Sequence, residues 1–95
     1  MGHPQIKTPN LDKLANAGAK LEAFYVQPVC SPTRAALMTG RYPSRFGPHA
    51  TSASTAPAFP KGTPTMASMF QTEGYDTCLS GKWHLGSSPD HGPNY

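Results

Sequence analysis

The 95-residue sequence predicts an α/β layered fold, a short, mostly parallel sheet with flanking helices. Apolar residues recur at helical spacing near residues 9–17 and 65–72, and β-favouring residues cluster in 20–26 and 75–79. These segments alternate along the chain, and in folds of that kind ligands gather at the carboxyl ends of the strands.

Thr8 ahead of Pro9 forms a helix-start signal, and Leu11, Leu14 and Ala15 repeat at helical spacing until Gly18, which predicts a helix from Pro9 to Ala17. Lys20 to Val26 alternates loosely and holds Phe24, Tyr25 and Val26, the pattern of a strand that leads to Cys30. Pro32 suits the first turn of a short helical segment ending at Gly40, because the amide hydrogen it lacks has no helical partner there. Residues 42–64 hold Pro43, Pro48, Pro57, Pro60 and Pro64 among small residues and read as a long surface loop. A further helix runs from Thr65 to about Thr72, its face of Met66, Met69 and Phe70 turned to the core and Gly74 at its end. Tyr75 to Leu79 reads as a second strand opening into Gly81-Lys82-Trp83-His84.

Length limits the chain to a single domain, residues 1–95, with a modest core. The 11 prolines and 9 glycines require much irregular structure without reaching the composition of a disordered chain. A net charge of +3, spread without basic runs or interleaved aromatics, argues against nucleic-acid binding. No stretch is long and apolar enough to span a membrane, and Met1-Gly2-His3-Pro4-Gln5 lacks the apolar run of a signal peptide. Cys30 and Cys78 match no zinc or redox spacing. By spacing alone a disulfide between them stays open, and Cys78 reads as a small buried strand residue.

The chemistry concentrates in Cys30-Ser31-Pro32-Thr33-Arg34 and its continuation to Arg41. Cys30 falls just before a helix N-terminus, where unpaired N–H groups and partial positive charge favour a thiolate or a bound oxyanion. Arg34, one turn along, adds a full charge and a forked donor. On an extended segment Lys82 and His84 would point to one face while Trp83 turns away to pack. Taken singly, a cysteine is more often a small buried hydrophobe than a nucleophile, and lysine and histidine are more often solvated. Arg41, at the far end of the segment, suits a brace for the cysteine loop, and His49 and His91 sit in Pro/Gly loops where a solvated histidine is the default.

The run from Cys30 to Arg41 resembles the signature of the sulfatase family, whose cysteine is oxidised to formylglycine. Gly81-Lys82-Trp83-His84-Leu85-Gly86 resembles that family's second signature, and Ile6 to Leu14 its first helix. The resemblance implies an incomplete, alkaline-phosphatase-like sulfatase fold and hydrolysis of sulfate monoesters, small-molecule or glycan. It implies a formylglycine-generating enzyme as partner and a Cys30 kept free of any disulfide. In the implied mechanism a hydroxyl of the hydrated aldehyde attacks sulfur and the alcohol leaves. The remaining hydroxyl then collapses to the aldehyde and expels sulfate. Arg34 would hold the hydrate and its anionic oxygen, Lys82 would contact sulfate, and His84 would bind the hydrate or move its protons.

The family's cation, usually calcium, is held by an acidic pair on the first strand and an Asp-Asn pair far downstream. Here the carboxylates are Asp12, Glu22, Glu73, Asp76 and Asp90, none paired, so Cys30 after conversion is the one residue of this chain that would touch the ion. Without those ligands the expected activity of the chain alone is slight. Lacking the family's first strand, the sheet would expose unpaired edges and favour self-association. Other readings are a non-catalytic remnant or anion-binding protein, and a phosphonate or phosphodiester hydrolase of the same superfamily. Members of the family are often periplasmic, secreted or lysosomal; the residues themselves assign no compartment.

Overall fold

The computed structural model describes residues 3–52 and 55–93. It contains three α-helices, α1 (Pro9–Ala17), α2 (Cys30–Thr39) and α3 (Met66–Thr72), with short 3-10 turns at Pro43–Phe46, Pro48–Thr51 and Pro89–His91.

Each helix start has its own local cause. In α1, Pro9 occupies the first turn, the Asp12 N–H donates to the Thr8 carbonyl at 2.8 Å, and the Thr8 hydroxyl donates to Asp12 Oδ1 at 3.0 Å. The α2 helix begins one residue earlier than the sequence suggests, with Cys30 inside its first turn and Val29 as the extended residue before it. Gly40 ends α2 in the left-handed conformation at φ 65°, donating its N–H to the Ala36 carbonyl, a conformation glycine adopts without the clash a Cβ would bring. Thr65 precedes α3 rather than joining it. Its Oγ1 accepts from the Ser68 N–H while Ser68 Oγ accepts from the Thr65 N–H, a reciprocal cap.

No strand occurs among the described residues, so the expected parallel sheet is not formed. Residues 20–26 and 75–79 have the composition of strands, yet no backbone hydrogen bonds join them to each other. A strand exists only through the ladder it shares with a neighbour, and β propensity reports packing on such a surface more than a preference of the backbone itself. The side chains meant for a sheet face are accordingly exposed, Phe24 at 67% and Tyr25 at 90%. With no sheet there is no sheet edge, and the self-association expected from one loses its basis. The apolar face of α3 is likewise exposed at Met66, Met69 and Phe70 rather than buried. Cys78 is exposed too, and both cysteines are free thiols.

The core is small and forms where α2 meets residues 58 and 85. Ala35, Ala58 and Leu85 are buried against one another, with Met38, Phe59 and Trp83 packed around them. Alanine on α2 lets the two loops approach the helix backbone closely. The proline-rich region predicted as surface loop supplies much of this packing: Pro43, Ala50 and Ala58 are buried, and the Ala58 N–H donates to the Leu85 carbonyl at 3.1 Å. Phe59 stacks between Phe46 at 5.9 Å and the edge of Trp83 at 6.5 Å, and Trp83 Nε1 donates to the His91 carbonyl at 2.8 Å. These contacts fix the segment 81–86 against the start of α2.

Candidate active site

Two pieces of chain build the site. The first turn of α2 supplies Cys30, Ser31 and Arg34. The segment 81–86 supplies Lys82 and His84.

That segment is a tight bend rather than the extended stretch expected. Gly81 and Gly86 have φ of 122° and 139°, and His84 lies between them in the left-handed region at φ 57°. A left-handed residue with a Cβ costs about 1–2 kcal/mol, and histidine is among the few types found there with any frequency. Neighbouring packing holds it. Leu85 is 2% exposed in the core on one side and Trp83 is anchored to the His91 carbonyl on the other. His84 is thereby turned onto α2, with its Nδ1 3.3 Å from Cys30 Sγ and 3.3 Å from Ser31 Oγ.

Lys82 is exposed and its ammonium approaches the same sulfur. Partial burial of Cys30 opposes ionisation, and this is outweighed by the Lys82 charge, the backbone N–H groups of Ser31 and Cys30 and a hydrogen bond from the Lys82 side chain. The thiol is therefore held below its ordinary value. An anion of other composition at this position would meet the same donors and the same charge.

Arg34 makes a contact its motif does not announce. Its Nη1 donates to the Lys82 carbonyl, which ties α2 to the segment that carries Lys82 and His84. Arg41 is exposed beyond Gly40 and lines a shallow recess with Tyr42 and Arg45. His49 is exposed on a 3-10 turn. His91 is half-buried, its Nδ1 2.9 Å from Ser88 Oγ and its carbonyl taken by Trp83, so it serves the fold.

Ser31 was not singled out by sequence reasoning. It is 1% exposed, a buried hydroxyl on the inward face of α2. A readable signal exists: Ser31, Ala35 and Met38 follow the i, i+4, i+7 stripe of a core-facing helix, which puts Ser31 on the same side as the core.

The residues here do not fit a hard cation. Among the described residues no three of His, Cys, Asp and Glu lie close enough to hold a metal ion. The carboxylates are dispersed instead: Asp12 accepts from Thr8, Glu22 pairs with Lys20 at 2.9 Å and Asp90 with Lys61 at 3.4 Å. Calcium needs six to eight oxygens from such groups. No helix of the described residues is long and apolar enough to cross a membrane.

At a helix start, Cys30 thus meets a lysine and a histidine brought to its sulfur from a glycine-flanked bend. The sulfatase family model matches residues 1–94, and the chain belongs to the sulfatase family. Among its relatives, arylsulfatase A of Bos taurus is 45% identical over 92 residues, which cover 94% of this chain and 18% of that protein. Steryl-sulfatase of Homo sapiens is 42% identical over 95 residues, covering 92% of this chain and 16% of its own length. N-acetylgalactosamine-6-sulfatase of Mus musculus is 38% identical over 102 residues, 97% of this chain and 20% of the relative. The chain thus spans about a fifth or less of the curated relatives it matches. No solved structure matches it.

Proposed function

We propose that this chain carries the nucleophile and anion-binding residues of a sulfate monoester hydrolase, with Cys30 the residue oxidised to formylglycine by a generating enzyme. The observation that carries the reading is the convergence on Cys30 Sγ of His84 Nδ1 at 3.3 Å and the Lys82 charge. Both come from the segment that resembles the family's second signature.

In this reading the first turn of α2 and the Lys82 ammonium bind the sulfate oxygens, offsetting charge that would otherwise repel a nucleophile. Arg34 holds the Lys82 carbonyl and so sets the distance of that ammonium from the reacting centre. His84 accepts or returns a proton at the nucleophile. Formylglycine, when present, supplies a hydroxyl nucleophile and its own route for releasing sulfate. No step is assigned to calcium, because the carboxylates of this chain do not assemble, and for the same reason the isolated chain is expected to bind sulfate with little turnover.

The test is mass spectrometry of the Cys30 peptide after co-expression with a formylglycine-generating enzyme. Formylglycine at position 30 supports the reading. An unaltered thiol overturns it in favour of a non-catalytic anion-binding chain. Competition between sulfate and phosphate esters for the converted chain separates a sulfatase from a phosphonate or phosphodiester hydrolase.

A further inference from the structure

We propose that Ser31 is a positioning residue for His84: its hydroxyl bonds Nδ1 and thereby decides which ring nitrogen carries the proton at the site. Ser31 Oγ lies 3.3 Å from His84 Nδ1, and Ser31 is almost wholly buried. The same nitrogen faces Cys30 Sγ at 3.3 Å. One ring atom is therefore shared between the residue that is to be converted and the one beside it.

The two partners differ in permanence. Sulfur is a weak hydrogen-bond partner, and conversion of Cys30 removes it altogether; the serine hydroxyl is a strong partner and stays. A neutral imidazole has one donor and one acceptor nitrogen; with the Ser31 hydroxyl as donor to Nδ1, the ring proton is left to Nε2. The left-handed backbone at His84 adds to the need. The strain is in the backbone, and Ser31 meets the side chain that this backbone presents, from the first turn of α2. Its meaning for catalysis rests on the sulfatase reading above; the geometry does not.

The experiment is nitrogen-15 NMR of the His84 imidazole at a pH where the ring is neutral, in the C30A chain, where no sulfur faces Nδ1. One tautomer should dominate. Ser31→Cys, similar in size and a poor hydrogen bonder, should shift the tautomer ratio roughly 3- to 10-fold, the range expected for losing one ordinary hydrogen bond, and Ser31→Ala should do the same. The Ala58 amide, bonded to Leu85, reports whether the fold persists in each variant. An unchanged ratio in the folded Ser31→Cys chain would overturn the proposal. So would an even mixture in C30A itself, a result that needs no substitution at Ser31. Failure of Cys30 to convert sinks the sulfatase reading and leaves the tautomer result standing, so the two can fail separately.

Discussion

Cys30 Sγ and His84 Nδ1 lie 3.3 Å apart although 54 positions separate them in sequence. Neither residue reaches the other by local structure. The contact exists because Leu85 and Ala58 pack on Ala35, which lays the 81–86 bend across the start of α2.

The Cys30 thiol should ionise at lower pH than a free cysteine. Desolvation favours its neutral form, but Lys82 and the α2 N–H groups outweigh this in the folded chain, so the thiolate persists as pH falls below the ordinary thiol range and is lost on passing the lowered value. Alkylation by iodoacetamide followed against pH in the C78A chain checks this. The midpoint should lie below that of a cysteine-containing peptide, and Lys82→Met should move it upward. A midpoint equal to the peptide's would show that the charge does not reach the sulfur.

Arg34→Ala should loosen the site without dispersing the core. The guanidinium bond to the Lys82 carbonyl is charge-assisted but partly exposed, so its loss should speed exchange of the Ala58 amide roughly tenfold, the equivalent of about 1.4 kcal/mol. Arg34→Lys should recover part of that protection, since lysine offers a charge but not the planar fork. Native exchange in Arg34→Ala would show that this bond does not hold the bend.

How much of this was legible in the sequence differs by element. Pro9 and the leucines that follow reveal α1, and Gly40 reveals the end of α2, because proline and glycine act through their own backbones and need no distant partner. Residues 20–26 and 75–79 misled for the opposite reason: their valine, tyrosine and phenylalanine suit a pleated surface that must be completed elsewhere. Lys82 and His84 were recognisable from their motif, yet the two-residue spacing argued for an extended segment. The left-handed turn at His84 is set by Leu85 and Trp83 burying on either side, which spacing does not encode. Ser31 is readable only through its place on the Ser31, Ala35, Met38 stripe of the α2 segment, since a small polar residue beside a cysteine carries no signal of its own.

Replacing His84 should separate backbone strain from side-chain contact. Glycine relieves the left-handed conformation at φ 57°, whereas alanine keeps it, so His84→Gly should be more stable than His84→Ala by about 1 kcal/mol. Both lose the contacts to Cys30 and Ser31, so a difference between the two isolates the backbone. Denaturant unfolding followed through Trp83, the single tryptophan, measures the comparison. Equal stabilities would mean that the bend is not strained at this residue.

Gly86→Ala should damage the site from behind. A Cβ at position 86 would lie 2.8 Å from His91 Cβ, 3.2 Å from the His91 carbonyl oxygen and 3.4 Å from Pro57 Cα, at a backbone φ of +139° that side chains rarely adopt. Relief requires His91 to retreat, and His91 holds Trp83 through its carbonyl. With four buried hydrophobic residues in the core among the described residues, little else can compensate. The substitution should cost more than about 2 kcal/mol, in the range of other strained backbone sites, and should red-shift Trp83 emission as the indole enters solvent. Cys30 alkylation should then lose its low-pH component, because Lys82 rides on the same bend. Native emission in Gly86→Ala would show that His91 and Trp83 do not hold the bend in place.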